Sequence, residues 1–158
     1  MEEILAYRQE LLAELEADVT RLAKIAARVS SQDWFHLSGD DQPTPHYILV
    51  SLWAEDAHEF TPQVRRILDE NMPLLSVFNI DSWMAENYAS DEPAGVIIEN
   101  LASLRTWEVS LLCGLDFTAW SRLSRHPRWG VHTLQWWVEA QRDTSHQYFT
   151  RLLASLDM

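Results

Sequence analysis

Two short spacings in this chain could carry chemistry. Glu55-x-x-His58 and Asp143-x-x-His146 each place a carboxylate and an imidazole three residues apart. On a helix that spacing puts both groups on one face, within reach of one ion or one proton. Glu-x-x-His on two helices is a ligand pattern of di-iron bundles, which also draw carboxylates from the other two helices. Glu14 and Asp18, and Glu99 and Glu108, are available for that role. A chain with 24 acids and 12 bases produces such spacings freely, so the plainer reading is solvated charge. No cofactor is expected, and a divalent metal on Glu55, His58, Asp143 and His146 stands as the alternative. A second group is polar side chains that interrupt apolar helical stripes: Ser51, Glu55 and Asp56 early, and Gln141 and Ser145 late, with the Tyr148 hydroxyl beside them. Buried polar groups need partners, so these six are candidates for a pocket wall or an internal hydrogen-bond network. The lone Cys113 has no base that can be named near it and reads as a small core residue. Serine nucleophile elbows, glycine-rich phosphate loops and zinc-type cysteine clusters are absent.

Four helical segments must position these groups. The first runs from about Glu2 to Val29, with Leu11, Leu15, Leu22 and Ile25 on one stripe and Arg8, Glu10, Glu14, Asp18, Arg21 and Arg28 on a face read as solvated. The second opens with Thr44 as N-cap and Pro45 in the first helical position, and runs to about Glu70. Pro62 lies inside it, which predicts a kink or break near Phe60. Pro73 ends it. Residues 74–89 read as irregular, with a short helix starting at Asp81. The third segment starts near Ser90, carries Ile97, Leu101, Leu104, Leu111 and Leu112, and stops at Gly114. The fourth starts near Thr133 and runs through Trp137, Val138, Phe149, Leu152 and Leu156. No stretch alternates long enough to read as a strand. The pattern is an all-α, four-helix bundle in one domain spanning residues 1–158.

Composition narrows the function. A net charge of −12 repels phosphate backbones, which argues against nucleic acid. The longest apolar runs fall far short of a membrane span, and Met1-Glu-Glu-Ile-Leu is acidic where a signal peptide is basic. A single cysteine forms no internal disulfide. A cytoplasmic protein is therefore expected. There is also a weak repeat. Ser30 is followed by Trp34 and Leu37-Ser38, and Asp116 by Trp120 and Leu123-Ser124; a threonine opens the next helix in each case. Two such hairpins suggest a pseudo-twofold axis, with Trp34 and Trp120 covering the bundle ends. Trp136 and Trp137 are adjacent and cannot point the same way, so one is expected to be partly exposed. A homodimer through helix faces is the partner reading this supports.

The order Asp33-Trp34, Thr44–Leu68, Asp81-Ser-Trp83, Trp120 and His126-Pro-Arg-Trp129-Gly130-Val-His-Thr133-Leu134 resembles the DinB-like superfamily over nearly the whole chain. The resemblance implies a bundle whose long link between the second and third helices gives an up-down-down-up order. It also implies a divalent metal held by three histidines, one in a His-Leu step of the second helix and two spaced by four on the last, in thiol-dependent transferases and isomerases. This chain departs from that pattern. The His-Leu step corresponds to Ser51-Leu52, and the last-helix pair to Gln141/Ser145, Arg142/His146 or Thr144/Tyr148. The six histidines are His36, His46, His58, His126, His132 and His146, and no two are three or four apart. The expectation is a DinB-like protein without the three-histidine site. It would be non-catalytic or metal-free, binding a small ligand or partner through a mid-bundle pocket or a dimer face. The alternative is a divergent thiol-dependent transferase or hydrolase with a non-standard metal site.

Overall fold

The computed structural model describes residues 1–158. Helix α1 spans Glu2–Ala26, α2 Pro45–Glu55, α3 Thr61–Asp69, α4 Ile80–Asn87, α5 Ala94–Cys113 and α6 Leu134–Ser155. A π-helical turn, Asp56–Phe60, joins α2 and α3 into one long rod. Two four-residue strands, β1 (Leu123–His126) and β2 (Gly130–Thr133), form a hairpin before α6. No helix is long and apolar enough to cross a membrane.

Local chemistry sets the boundaries. Thr44 Oγ1 accepts the Tyr47 N–H at 3.1 Å, and Pro45 occupies the first turn of α2, where its missing N–H has no role. Thr133 caps α6 in the same way, accepting from the Trp136 N–H at 3.2 Å. Asn79 caps α4 through the Ser82 N–H at 3.0 Å. Pro62 produces neither a break nor a loop. Its ring would collide with the carbonyl of residue 58 in a regular helix. The backbone widens by one residue instead, and the Thr61 N–H reaches back to the Asp56 carbonyl, five residues away.

Helix α1 packs on α5 and α6, and the α2–α3 rod packs on the same two. The helices of each hairpin, α1 with the rod and α5 with α6, therefore sit across the diagonal of the bundle. The core is two apolar clusters. One holds Leu22, Ile25, Leu49, Leu52, Leu101, Phe149 and Trp34. The other holds Leu11, Leu15, Phe60, Ile67, Leu112, Val138 and Trp120. Helices α1 and α6 start in the Trp120 half and end in the Trp34 half; α5 and the α2–α3 rod run the other way. This is the up-down-down-up order, and the crossover is the 70–93 link containing α4. The two repeat tryptophans each open or sit in a short 3₁₀ turn, Asp33–Phe35 and Phe117–Ser121, at opposite ends of the bundle.

The link is tied to the hairpin. Leu75 N–H donates to the Arg125 carbonyl at 2.7 Å, and Arg125 N–H to the Pro73 carbonyl at 2.9 Å. Arg122 closes the end of α3, donating to the carbonyls of Ile67 and Glu70, both at 2.8 Å. The hairpin corrects the expectation of no strand, within a fold that is otherwise helical as expected. Its strands are too short to show alternation. Its turn depends on His126, whose Nδ1 accepts the N–H groups of Arg128 (3.1 Å) and Trp129 (3.3 Å), and on Gly130 at φ +80°.

Candidate functional site: a buried guanidinium belt and the acidic cleft above it

Between the two apolar clusters every bundle helix turns polar at the same height. Helix α1 contributes Asp18, the π turn Asp56, α5 Arg105 and Glu108, and α6 Gln141 and Ser145; all six are buried. Arg105 is the centre. Its Nε donates to Asp56 Oδ2 at 2.8 Å, and its Nη1 to the Leu15 carbonyl at 3.1 Å and Asp18 Oδ2 at 3.3 Å. Its Nη2 donates to Ser145 Oγ. Gln141 Nε2 donates to the second Asp56 oxygen at 2.7 Å. A planar, five-donor guanidinium suits such a site, because its fork meets fixed acceptors in several directions.

Glu108 stands further off, with Oε2 3.8 Å from Arg105 Nε. Its Oε1 accepts from the Thr61 hydroxyl, while Oε2 has no donor aimed at it. Burial, reinforced by the Asp56 carboxylate, pushes Glu108 up to about 9. Burial also pushes Asp56 up, but Arg105 pulls it back. The proton therefore sits on Glu108 at neutral pH, and the oxygen without a donor becomes the donor. Burial still leaves Asp56 raised overall, but held on both oxygens it is the acid of the pair placed to carry the charge.

Above the belt, on the α6 side, opens a cleft of about 420 Å³. Its walls come from the π turn, the 77–81 part of the link, the hairpin tip and α6. The widened π turn brings Glu55 and Glu59 to the same wall, with Asp81 nearby. The two glutamates share a hydrogen bond, and burial together with the Glu55 partner pushes Glu59 up to about 8. Burial raises Glu55 as well. Tyr148 donates to Glu55 Oε1 at 3.4 Å; burial and that carboxylate push its hydroxyl up. Arg128 and Arg151 bring positive charge to the rim, Arg151 over the Tyr148 ring at 5.2 Å. Phe78, Trp129 and Trp137 supply aromatic wall.

Of the six pocket candidates, Glu55, Gln141 and Tyr148 line the cleft. Asp56 and Ser145 lie beneath it in the belt, and Gln141 connects the two levels. Ser51 belongs to neither: it is buried and donates to the Tyr47 carbonyl of its own helix at 2.9 Å. The four residues of the metal alternative do not converge. His58 leaves Glu55 and sits among Trp53, Phe78 and Trp83, while Asp143 and His146 are exposed on α6, Asp143 beside Arg142. Asp18 and Glu108, also offered to a metal, face Arg105 instead. Asp18 and Arg8 are buried, which corrects the solvated reading of that α1 face. Cys113 is exposed, not a core residue.

Sequence reasoning missed Arg105, Glu59, Asp81, Arg128 and Arg151. A signal for Arg105 existed: Ile97, Leu101, Arg105, Glu108 and Leu112 continue one helical stripe without a break in phase. The hairpin and link residues carried no such signal.

No protein-family model matches the chain. No curated protein matches it in sequence. Among solved structures the chain is similar to YfiT from Bacillus subtilis, described as a probable metal-dependent hydrolase with an unusual four-helix bundle topology. The TM-score is 0.80 at 16% identity, over 94% of this chain and 85% of that one. At that identity the likeness speaks to architecture, and there it agrees with the helix order traced above. The chain shares the four-helix-bundle fold of YfiT.

Proposed function

We propose that this protein is a DinB-like binding module that takes a small zwitterionic ligand in the cleft, without a metal. One observation carries the reading: the acids Glu55, Glu59 and Asp81 and the guanidiniums of Arg128 and Arg151 line one cleft of about 420 Å³, with Arg128 close enough to Glu59 to act on its charge. A cationic group faces the acids and an anionic group the guanidiniums, while Phe78, Trp129 and Trp137 cover the apolar part. The three-histidine metal implied by the family resemblance does not fit these residues. The lining holds no histidine or cysteine, and no three metal-ligating side chains converge anywhere in the chain.

A titration of the full chain with α-amino acids, followed by nuclear magnetic resonance, tests the reading. Zwitterions shift the indole signals of Trp129 and Trp137 more strongly than their N-acetyl or methyl-ester derivatives, each of which lacks one charge. Equal shifts from all three, or none at millimolar concentration, refute it.

A hydrolase reading has one specific observation in its favour, the Glu55–Glu59 pair. With Glu59 pushed up to about 8 and Glu55 beside it, one carboxyl can donate a proton while the other accepts one. Turnover of an ester or amide substrate that disappears in Glu59→Gln is the result that selects this reading over simple binding.

A further inference from the structure

On the α5 side of the rod, away from the acidic cleft, lies a second pocket of about 270 Å³ that shares no lining residue with the first. Val50 and Ile97, both buried, form its floor. Trp53 of α2 and Trp83 of α4 form a corner: their ring centroids are 5.9 Å apart and their planes meet at 58°. Indoles at that distance and tilt touch each other, so nothing flat fits between them. His58 packs on both rings, 5.4 Å from Trp53 and 4.9 Å from Trp83, and does not line the pocket, so the indoles meet the pocket on the side away from it, where a rounded group fits. Asn87, Ala89, Glu92 and Asn100 complete the rim, Asn87 donating its amide to the Trp83 carbonyl at 2.9 Å, and no arginine, lysine or histidine is among the lining residues.

We propose that this pocket is a site for the quaternary ammonium group of a small organic cation. Indole faces carry the negative side of the ring quadrupole and attract a cation held close to them. The Glu92 carboxylate adds a full negative charge with no lining base to neutralise it, and the chain as a whole carries −12. The floor decides which cation. Val50 and Ile97 offer no hydrogen-bond acceptor, which disfavours sodium or a primary ammonium, because both would have to shed tightly held water. A methylated ammonium is large and weakly hydrated, and its methyl groups gain contact with the apolar floor.

The probe is choline, and the control is 3,3-dimethyl-1-butanol, which has the same shape without the charge. The full chain labelled with ¹⁵N is titrated with each, and the indole N–H signals are followed. Choline shifts Trp53 and Trp83 and leaves Trp129 and Trp137 in place. The neutral control binds about tenfold more weakly, the range expected for a cation over two indoles. Trp83→Leu abolishes the shift. Glu92 is exposed, so Glu92→Gln keeps the fold, and it weakens choline about fivefold. Equal affinity for choline and the neutral control overturns the proposal and makes the pocket an apolar slot. Unchanged choline affinity in Glu92→Gln, or no shift of Trp53 and Trp83 at tens of millimolar, overturns it as well.

Discussion

Replacing Arg105 by methionine removes the one cation of the buried belt while keeping most of the side-chain volume. The wild-type arginine is 1% exposed and donates to Asp56, Asp18, the Leu15 carbonyl and Ser145. Without it, Asp56 is a fully buried carboxylate left with Gln141 and the protonated Glu108 as its neutral donors, and the Leu15 carbonyl and Ser145 hydroxyl lose a partner each. Breaking a buried pair from one side costs about 3–5 kcal/mol, most of it the uncompensated charge left behind. A chain of this length has a total stability of roughly 8–15 kcal/mol, so the variant folds but loses a large share of it. In melting temperature that is a drop of roughly 6–20 °C. Urea unfolding at pH 7, followed by tryptophan fluorescence, measures it. Two further arms isolate the cause. Adding Asp56→Asn to Arg105→Met removes the stranded charge and recovers part of the loss, although Asp56→Asn alone is destabilising. Lowering the pH towards 5 narrows the gap between Arg105→Met and wild type, because Asp56 can then take up a proton. The reasoning is refuted if Arg105→Met loses less than about 1 kcal/mol, the level of a surface pair. It is refuted equally if the second substitution deepens the loss.

Glu108 sets a pH dependence of definite sign. Its folded value of about 9 lies above the ordinary 4.5, so the native state holds a proton that the unfolded chain releases. That stabilisation is complete below about pH 4.5 and is lost as the pH rises through about 9. Urea midpoints therefore fall across that window. Glu108→Gln, a neutral isostere, flattens the fall and is at least as stable as wild type at pH 8; identical slopes would contradict the assignment of the proton. Gly130→Ala tests the hairpin turn. Nothing lies within 4 Å of the added Cβ, so the loss is the backbone penalty at φ +80° alone, about 1 kcal/mol. A thermal melt shifted down by about 2–4 °C is the expected reading, and an unchanged melt argues that the turn relaxes freely.

The helices were legible because their signals are local. Thr44-Pro45 marks a start, Gly114 a stop, and apolar spacing of three and four marks the buried face. The long 70–93 link was legible too, through Pro73 and the gap before Ile97. The π turn was half legible: Pro62 announces a defect, but a break and a widened turn satisfy the same missing N–H. The hairpin was not, since four-residue strands carry too few positions for alternation. The site divided in the same way. Glu55, Gln141 and Tyr148 stand on regular helices, and helical phase brings them to one wall. Arg128 and Asp81 reach that wall from the hairpin tip and the link, and nothing in their own neighbourhoods says so. Arg105 was legible by phase and passed over by type, because an arginine inside an apolar stripe reads as an interruption until three acids are seen to meet it. The histidines invited the opposite error. Their residue type suggests ligands, yet His46 is spent on Tyr88 and the Glu92 carbonyl, and His126 on the hairpin turn.

The belt also bears on which wrong structures this chain can form. Asp18, Asp56, Arg105 and Gln141 lie inside their helices, with apolar residues on both sides. A helix that slides by one turn, about 5.4 Å, drives a charge among leucines, so vertical slippage is strongly opposed. The α2–α3 rod or α5 turned end for end still brings its polar residue close to the same level, because Asp56 and Arg105 sit near mid-length; α1 and α6 turned over do not, since Asp18 and Gln141 lie off centre. The belt thus fixes height and leaves the direction of the rod and α5 less constrained. There direction is left to the connections: the segments that carry Trp34 and Trp120, and the 70–93 crossover, which Arg122 and Arg125 tie to the hairpin. Loosening that crossover therefore removes the restraint that the belt itself does not supply on the direction of the rod and α5.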